Sequence, residues 1–311
     1  MEQVIVITGP TCSGKTRLSL NIAGILNTEI ISADSRQVYK FLDIGTAKPS
    51  AAELKQIKHH FVNYLYPDEN FNVSDFENKA LEIIHEIHSA NKIPVVTGGS
   101  GLYIKALIDG IFNSVDTDQE YRIELLNKKK VLGNQYLYDE LKKIDPVSTS
   151  KMLSQNFKRV IRALEVYHLT GRPISELQKE YTRNINFKFY QYGLNWERKI
   201  LYANIEKRVD DMIKAGLVEE VKGILEKGYD KNINALNTVG YKEIISYVNG
   251  GINLDRAIEL IKRNTRRFAK RQMTWFNKDK RIKWISLHDI EELHSAADQI
   301  INEIHKKIKT I

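Results

Sequence analysis

Apolar residues in the first third of the chain follow two alternating patterns, one typical of buried strands and one typical of helices. The short apolar runs Val4–Ile7, Glu29–Ser32 and Ile93–Thr97 indicate buried strands. Before the third run, apolar residues recur at helical spacing after Ser74-x-x-Glu77, which we interpret as the capping box that starts a helix. This alternation predicts an α/β fold in which right-handed βαβ crossovers join a parallel sheet.

Ligands of a parallel sheet bind beyond the carboxyl ends of its strands. In this chain, three loops follow the three predicted strands: Gly9–Thr16, Ala33–Tyr39 and Gly98–Tyr103. The glycines that open the third loop suggest that its backbone closely approaches a ligand. We therefore expect the functional site to be built from these three loops.

The middle of the chain changes to helical spacing. No strand pattern returns until Phe187–Leu194, and a strong helix is predicted over Asn156–Thr170, with a glycine and a proline as its stop signals. We therefore predict a sheet core flanked by helices, formed by residues 1–114 and 189–311. The first loop of this core reads Gly-Pro-Thr-Cys-Ser-Gly-Lys-Thr, which makes the predicted core P-loop NTPase-like. Residues 115–188 are predicted to form an all-helical insertion domain.

A long amphipathic helix is predicted from Leu254 to about Asn277. Its apolar stripe includes Phe268 and Trp275, which we interpret as core residues. The remaining surface of the helix is basic, with five charged side chains: Arg263, Arg266, Arg267, Lys270 and Arg271.

Composition restricts the class of protein. A chain of 311 residues has enough length for about two domains. No apolar stretch approaches the roughly 20 residues of a membrane span, and no signal peptide precedes the first strand, so we expect no membrane association. The single cysteine excludes an internal disulfide and favours a cytoplasmic location. The net charge of +8 permits a polyanionic partner.

The first loop contains a complete phosphate-binding motif, G-x-x-x-x-G-K-[ST], between a strand and a helix. Its eight residues are predicted to bind a di- or triphosphate: Gly9, Pro10, Thr11, Cys12, Ser13, Gly14, Lys15 and Thr16. Backbone N–H groups and the helix dipole attract phosphate oxygens in this setting. Lys15 adds a positive charge, and the hydroxyl of Thr16 is the expected ligand of Mg²⁺.

The strand that ends at Thr97 lacks the acidic residue with which ATP-dependent enzymes hold magnesium. An acid, Asp34, stands instead at the end of the second strand. Three roles fit Asp34 at this position: a magnesium ligand, a general base that faces the phosphates, or a turn residue that caps its own backbone.

Several motifs together resemble those of one enzyme family. Besides the phosphate-binding loop, the chain contains Ser32–Tyr39, the run Asp-Ile-Gly-Thr-Ala-Lys-Pro at 43–49, Gly98–Tyr103, and the run Ala-Lys-Arg-Gln-Met-Thr-Trp at 269–275. In this order they closely resemble the bacterial tRNA dimethylallyltransferases, from about Ile5 to Trp284. The phosphate-binding loop occurs in many families, whereas the runs at 43–49 and 269–275 are much more specific.

The resemblance implies a reaction in which a dimethylallyl group passes from dimethylallyl diphosphate to N6 of the adenine immediately 3′ of the tRNA anticodon. In that reaction, the phosphate-binding loop, Lys15 and Mg²⁺ would stabilise the departing diphosphate. Asp34 matches the general base of the family, and Thr11 matches a residue that forms hydrogen bonds near the reacting centre. The predicted catalytic residues are therefore Asp34, Thr11 and Lys15.

The resemblance also implies contacts with the tRNA anticodon stem-loop. Nine positions match residues to which the family assigns tRNA contacts: Asp34, Ser35, Arg36, Gln37, Ser100, Arg122, Lys158, Arg159 and Arg162. For the basic surface of the helix that starts at Leu254, two interpretations stay open, namely contact with tRNA phosphates and a charged outer face.

Two other functions compete with this interpretation. The first is a P-loop kinase that uses ATP and magnesium to phosphorylate a small metabolite. The missing acid after Thr97 argues against it. The second is an RNA-binding module without catalysis, which has no need for the intact Lys15, Thr16 and Asp34.

Overall fold

The structure is a computed structural model that describes residues 2–112, 115–183 and 185–309. Its centre is a sheet of parallel strands in the order β3-β2-β4-β1-β5-β6. The strands are β1 (Glu2–Thr8), β2 (Ile30–Ser32), β3 (His59–His60), β4 (Val95–Gly98), β5 (Phe187–Trp196) and β6 (Lys283–Leu287). The predicted parallel α/β sheet is therefore confirmed, and the short edge strand β3 is an addition that the apolar pattern did not indicate.

The described helices cover the sheet and form the middle of the chain. They are α1 (Lys15–Ile25), α2 (Ala51–Gln56), α3 (Val73–Ser89), α4 (Gly101–Asp109), α5 (Gln119–Ile144), α6 (Pro146–Thr149), α7 (Phe157–Thr170), α8 (Ile174–Glu180), α9 (Arg198–Lys214), α10 (Leu217–Glu226), α11 (Tyr241–Val248), α12 (Leu254–Phe276) and α13 (Glu292–Lys309). Among the residues that the structure describes, no helix is both long and apolar enough to cross a membrane.

The first strand lies at the centre of the sheet, where it pairs with β4 on one side and with β5 on the other. In register, Ile5 lies opposite Val95 and Tyr190. Ile5 and Ile7 are fully buried and belong to one apolar core with Leu18 of α1. This packing holds the carboxyl end of β1, and hence the phosphate-binding loop, in a rigid frame.

The chain divides into two compact units, one formed by Met1–Ile108 with Asn186–Ile311 and one formed by Asp109–Ile185. The second unit consists of helices packed around its own apolar cluster, which includes Leu137, Leu141 and Val160. Phe187 and Lys188, which the predicted boundary assigned to the insertion, lie in β5 because they pair with β1. The other predicted boundary, at residues 114 and 115, falls partly outside the described residues.

The predicted start of helix α3 was wrong. The helix begins at Val73, and its N-cap is Asn72 rather than Ser74. The Asn72 side chain accepts hydrogen bonds from the backbone of Ser74 and Asp75, and the Asp75 carboxylate accepts one from the backbone N–H of Asn72 at 2.8 Å. Asn72 and Asp75 form the same reciprocal arrangement that was predicted for Ser74 and Glu77, two residues earlier in the sequence.

The predicted burial of two aromatic residues on α12 was also wrong. Phe268 exposes 40% of its surface and Trp275 exposes 36%, whereas the buried face of α12 contains Ala257, Ala269 and Phe276. A seven-residue spacing drifts by about 20° per repeat around a straight helix. The drift carries Phe268 and Trp275 to the edge of the buried face.

The N-cap of α3 gives a first test. Replacing Asn72 by Ala removes the acceptor for two backbone N–H groups, so we expect the free energy of unfolding to fall by about 1 kcal/mol. The Asn72→Asp variant keeps a carboxylate acceptor and should unfold like the wild type. Urea titrations followed by circular dichroism measure the difference, and equal losses in both variants would contradict this assignment of the cap.

Candidate active site

The phosphate-binding loop connects β1 to α1. It borders a cavity of about 840 Å³ at the carboxyl ends of the strands. Six of its eight predicted residues line this cavity: Thr11, Cys12, Ser13, Gly14, Lys15 and Thr16. Gly9 does not line it, and Pro10 contributes through its carbonyl oxygen, which accepts a hydrogen bond from Lys15 Nζ at 2.6 Å. The cavity therefore presents a helix N-terminus and a lysine, as anion binding requires.

Lys15 is a half-buried cation at the wall of this cavity. Burial lowers the pKa of Lys15 to about 8, the negative charge of Asp34 opposes this effect, and Arg208 reinforces it. A lysine with such a pKa is still mostly protonated at neutral pH. A bound diphosphate would stabilise its charged form further.

One carboxylate oxygen of Asp34 stabilises the loop in which Asp34 lies. Its Oδ1 accepts hydrogen bonds from the backbone N–H groups of Arg36, at 2.8 Å, and Gln37, at 3.3 Å. The turn role considered for Asp34 is therefore real. The side chain also lines the 840 Å³ cavity and a second cavity of about 320 Å³. One oxygen thus orients the carboxylate, and the structure shows no hydrogen bond from the described residues to the other.

The two cavities meet at a shared wall. Six residues line both of them: Thr11, Asp34, Thr46, Arg208, Met212 and Phe268. Of the residues predicted to contact tRNA, Ser35, Arg36 and Ser100 line the second cavity only, and the Ser35 N–H donates to Ser100 Oγ at 3.0 Å. The structure therefore brings these three residues together with Asp34, whereas Gln37 lines only the first cavity.

Gln272 joins the phosphate-binding loop to the loop after β4. Its Oε1 accepts a hydrogen bond from the Thr11 N–H at 2.8 Å, and its Nε2 donates to the Gly99 carbonyl at 2.9 Å. The side chain is buried, so both polar ends are satisfied inside the protein. Gln272 lies in the run at 269–275, where its spacing alone did not reveal this role.

The glycines at the end of β4 also serve protein packing. Gly98 and Gly99 line the 840 Å³ cavity, so the expected close approach of their backbone to a ligand stays a prediction. A Cβ atom at Gly98 would collide with the backbone of Ala33. At Gly99 it would collide with Gln272, and at Gly101 with the Trp275 ring. These close approaches bring α12 and the loop after β2 against the end of β4.

Arg208 of α9 is a site residue that the sequence did not single out. One of its guanidinium nitrogens donates to Thr11 Oγ1 at 3.1 Å and approaches Cys12 Sγ at 3.5 Å. Arg208 is one of many charged residues in α9, and it lies far from the phosphate-binding loop in the sequence. Only the packing of α9 brings it to the cavity wall.

The loop at 43–49, one of the two specific sequence motifs, is held by a carboxylate from helix α10. Glu220 of α10 accepts hydrogen bonds from the backbone N–H groups of Asp43, Ile44 and Gly45 at 3.0, 2.7 and 3.2 Å. Lys48 stabilises the same loop from inside, because its Nζ contacts Asp43 Oδ1 at 2.6 Å. This motif therefore builds one wall of the cavity.

In the unit Asp109–Ile185, two of the predicted tRNA-binding arginines pair with a buried acid. Glu165 has a fully buried side chain, and its carboxylate contacts Arg122 Nε at 2.6 Å and Arg162 at 2.5 Å. Burial alone would raise the pKa of Glu165, but the hydrogen bonds from these arginines lower it. Lys158 and Arg159 have exposed side chains. Contact of these four cations with tRNA stays a prediction.

The described residues contain no cluster of three or more His, Cys, Asp or Glu side chains that could hold a metal ion. A magnesium ion bound with a diphosphate takes most of its ligands from phosphate oxygens and water, so no such cluster is required. Two hydroxyls suit it. Thr16 lines the cavity, and so does Thr97, whose buried Oγ1 has no hydrogen-bond partner among the described residues.

Comparison with known proteins identifies the family. The family model described as IPP transferase matches residues 37–279, which is most of the chain. The chain belongs to this family. The resemblance predicted from the sequence motifs is thereby confirmed.

Relatives of nearly full length support the assignment. A tRNA dimethylallyltransferase from Acetivibrio thermocellus is 48% identical over 293 residues, which are 94% of each chain. One from Pelotomaculum thermopropionicum is 44% identical over 96% of this chain and 95% of its own length. Both relatives are therefore similar along the whole core and the insertion.

Solved structures support the same family assignment. The tRNA isopentenylpyrophosphate transferase from Bacillus halodurans is 37% identical, with a TM-score of 0.73 over 100% of this chain and 99% of that one. A eukaryotic dimethylallyltransferase acting on tRNA is 28% identical, with a TM-score of 0.86 over 100% of this chain and 80% of its own. The P-loop NTPase-like fold predicted from the sequence is confirmed by these structures.

The pKa of Lys15 gives a pH-dependent prediction. Since the free side chain loses its proton as the pH rises through about 8, we expect the affinity for dimethylallyl diphosphate to fall above this pH. The fall should approach about tenfold per pH unit, the limit for one linked proton. Near pH 8, binding should also take up a proton, which calorimetry in buffers of different ionisation enthalpy measures. The Lys15→Met variant should bind more weakly with a flat pH profile, and an unchanged profile would contradict the role of Lys15.

Proposed function

We propose that this chain transfers a dimethylallyl group from dimethylallyl diphosphate to N6 of the adenine immediately 3′ of a tRNA anticodon and releases diphosphate. Relatives with the name tRNA dimethylallyltransferase share nearly its full length. Within the structure, one observation carries the proposal: a cavity with an anion-binding loop and a second cavity meet at Thr11 and Asp34.

The two cavities suit the two substrates. The larger one presents the phosphate-binding loop to the diphosphate, and the smaller one presents Ser35, Arg36 and Ser100 to the acceptor base. Extrusion of an adenine from a stacked tRNA loop costs a few kcal/mol, which stacking and hydrogen bonds in the pocket offset. The reacting carbon and the N6 atom then meet at the shared wall.

At this wall, the C1–O bond of dimethylallyl diphosphate breaks, and its electron pair leaves with the diphosphate. The N6 lone pair forms the new bond to C1. The proton that N6 loses passes to the Asp34 carboxylate, whose Oδ1 is already held by the Arg36 and Gln37 N–H groups. The backbone thus orients the general base before the substrate arrives.

Three side chains support the departure of the diphosphate. Lys15 and Arg208 place positive charge beside it, and the Arg208 hydrogen bond orients the Thr11 hydroxyl toward the shared wall. The Thr16 hydroxyl would hold a Mg²⁺ ion together with the diphosphate, and the ion would supply further neutralisation of the leaving group. Together these groups favour the charge distribution of the transition state.

The proposed tRNA contacts fall into two groups. The first group, at the cavities, consists of Asp34, Ser35, Arg36, Gln37 and Ser100. The second group lies in the unit Asp109–Ile185 and consists of Arg122, Lys158, Arg159 and Arg162. On α12, Arg266 pairs with Glu206, so we assign phosphate contacts there to the more exposed Arg267, Lys270 and Arg271. A tRNA substrate also fits the expected cytoplasmic location.

The kinase alternative is not favoured. The strand β4 ends at Gly98 and carries no acid into the cavity. The direct test of the proposed function is mass spectrometry of nucleosides from unmodified tRNA after incubation with the protein and dimethylallyl diphosphate. A dimethylallyl adenosine next to the anticodon is expected, and its absence together with phosphate transfer from ATP would favour the kinase.

Asp34 gives the sharpest catalytic prediction. The Asp34→Asn variant keeps an Oδ1 acceptor for the turn but removes the base, so we expect single-turnover prenyl transfer to slow by about 10²–10⁴. Affinity for tRNA should change little. Asp211→Asn, which alters another acid of the larger cavity, is the matched control. A near-wild-type rate for Asp34→Asn would remove Asp34 from the mechanism.

The second group of tRNA contacts gives a prediction that separates binding from folding. Replacing Arg159 by Ala should weaken tRNA binding and reduce the slope of log K against log salt by roughly one, with an unchanged Tm. Replacing Arg162 by Ala should lower the Tm, because Glu165 then loses a partner for its buried charge. Filter binding at several salt concentrations and thermal unfolding measure the two effects. Equal losses of Tm in both variants would contradict this division.

A further inference from the structure

The wall that the two cavities share contains both polar and apolar residues. Four of its six residues are polar, and the other two, Met212 and Phe268, are apolar. Phe268 exposes 40% of its surface, so its ring is accessible from the cavities that it lines. An apolar surface at the point where the two cavities meet suits an apolar ligand group.

Helices α9 and α12 each contribute two residues to this region, with the same spacing. On α9, Arg208 and Met212 are four residues apart and therefore share one face. On α12, Phe268 and Gln272 have the same spacing. Arg208 and Gln272 both bind Thr11, the one at its hydroxyl and the other at its backbone N–H. Each helix thus contributes one polar group to the phosphate-binding loop and one apolar group to the wall one turn away.

The reaction leaves one position for the prenyl chain. Its C1 atom must lie between the diphosphate at Lys15 and the N6 atom at Asp34, and hence at the shared wall. The polar groups of this wall have other partners, since Arg208 binds Thr11, the Thr46 hydroxyl donates to the Leu42 carbonyl, and Asp34 is assigned to the acceptor base. The branched hydrocarbon end of the substrate therefore meets Met212 and Phe268.

We infer that Met212 and Phe268 form the pocket that receives the dimethylallyl group and limits the prenyl chain to five carbons. This inference rests on the proposed function, because it assigns the substrate of the same site. A hydrophobic pocket distinguishes ligands that differ in chain length by the space that its side chains leave. Met212 and Phe268 limit the length of the prenyl chain sterically, and truncation of either side chain makes room for a longer chain.

Binding measurements without tRNA test this inference. Calorimetry with dimethylallyl diphosphate and with inorganic diphosphate gives the ratio of their affinities, which isolates the contribution of the hydrocarbon. We expect Met212→Ala and Phe268→Ala to lower this ratio by about tenfold, with little change in the affinity for inorganic diphosphate. Phe268→Leu keeps an apolar stop and should retain most of the ratio. Met273→Ala, on α12 but outside both cavity walls, is the control and should match the wild type.

A longer substrate completes the test. With geranyl diphosphate, which has ten carbons, the wild type should bind poorly, and Met212→Ala or Phe268→Ala should shift the preference toward it by about tenfold. The inference is overturned if the wild type binds dimethylallyl diphosphate no better than inorganic diphosphate. It is also overturned if both alanine variants leave both affinity ratios within about twofold of the wild type.

The design separates this inference from the proposed function. If the wild type binds dimethylallyl diphosphate selectively through Met212 and Phe268 but transfers nothing to tRNA, the proposed function fails and the pocket stands. If prenyl transfer proceeds while both truncations leave the selectivity unchanged, the pocket fails and the function stands.

Discussion

The active site depends on one buried side-chain amide, that of Gln272. It accepts a hydrogen bond from the Thr11 N–H and donates one to the Gly99 carbonyl, and so it connects the phosphate-binding loop with the loop after β4. Leaving either buried backbone group without a partner would cost roughly 1–3 kcal/mol. Since Gln272 lies on α12, this helix holds the two loops in register, and glycine at position 99 leaves room for the amide.

The packing of α9 and α12 adds the side chains that complete the candidate active site around these loops. Arg208 and Gln272 approach Thr11 from two helices, while Met212 and Phe268 form the apolar part of the same wall. In the proposed reaction, the charge for the leaving group and the apolar surface for the hydrocarbon lie within one helical turn of each other. This proximity suits a substrate whose diphosphate and prenyl ends have opposite solvation requirements.

The structure assigns an interior role to several residues that the motifs presented as candidate ligand contacts. The glycines after β4 make room for protein atoms, and the loop at 43–49 is held by the carboxylate of Glu220. Arg122 and Arg162 neutralise the buried Glu165. A residue can hold a binding surface in shape and still touch the ligand, so these roles are compatible with the proposed tRNA contacts.

The amino-acid sequence was sufficient to predict the parallel α/β sheet, the phosphate-binding loop and the family. Each of these features is marked by short runs of neighbouring residues with a characteristic spacing. The tertiary structure alone decided which distant side chains complete the site. Arg208 and Gln272 lie about 200 and 260 positions after the loop that they contact, and no local pattern marks them. It also decided the exposure of Phe268, because a residue at the edge of a helical stripe is buried or exposed according to what packs beside it.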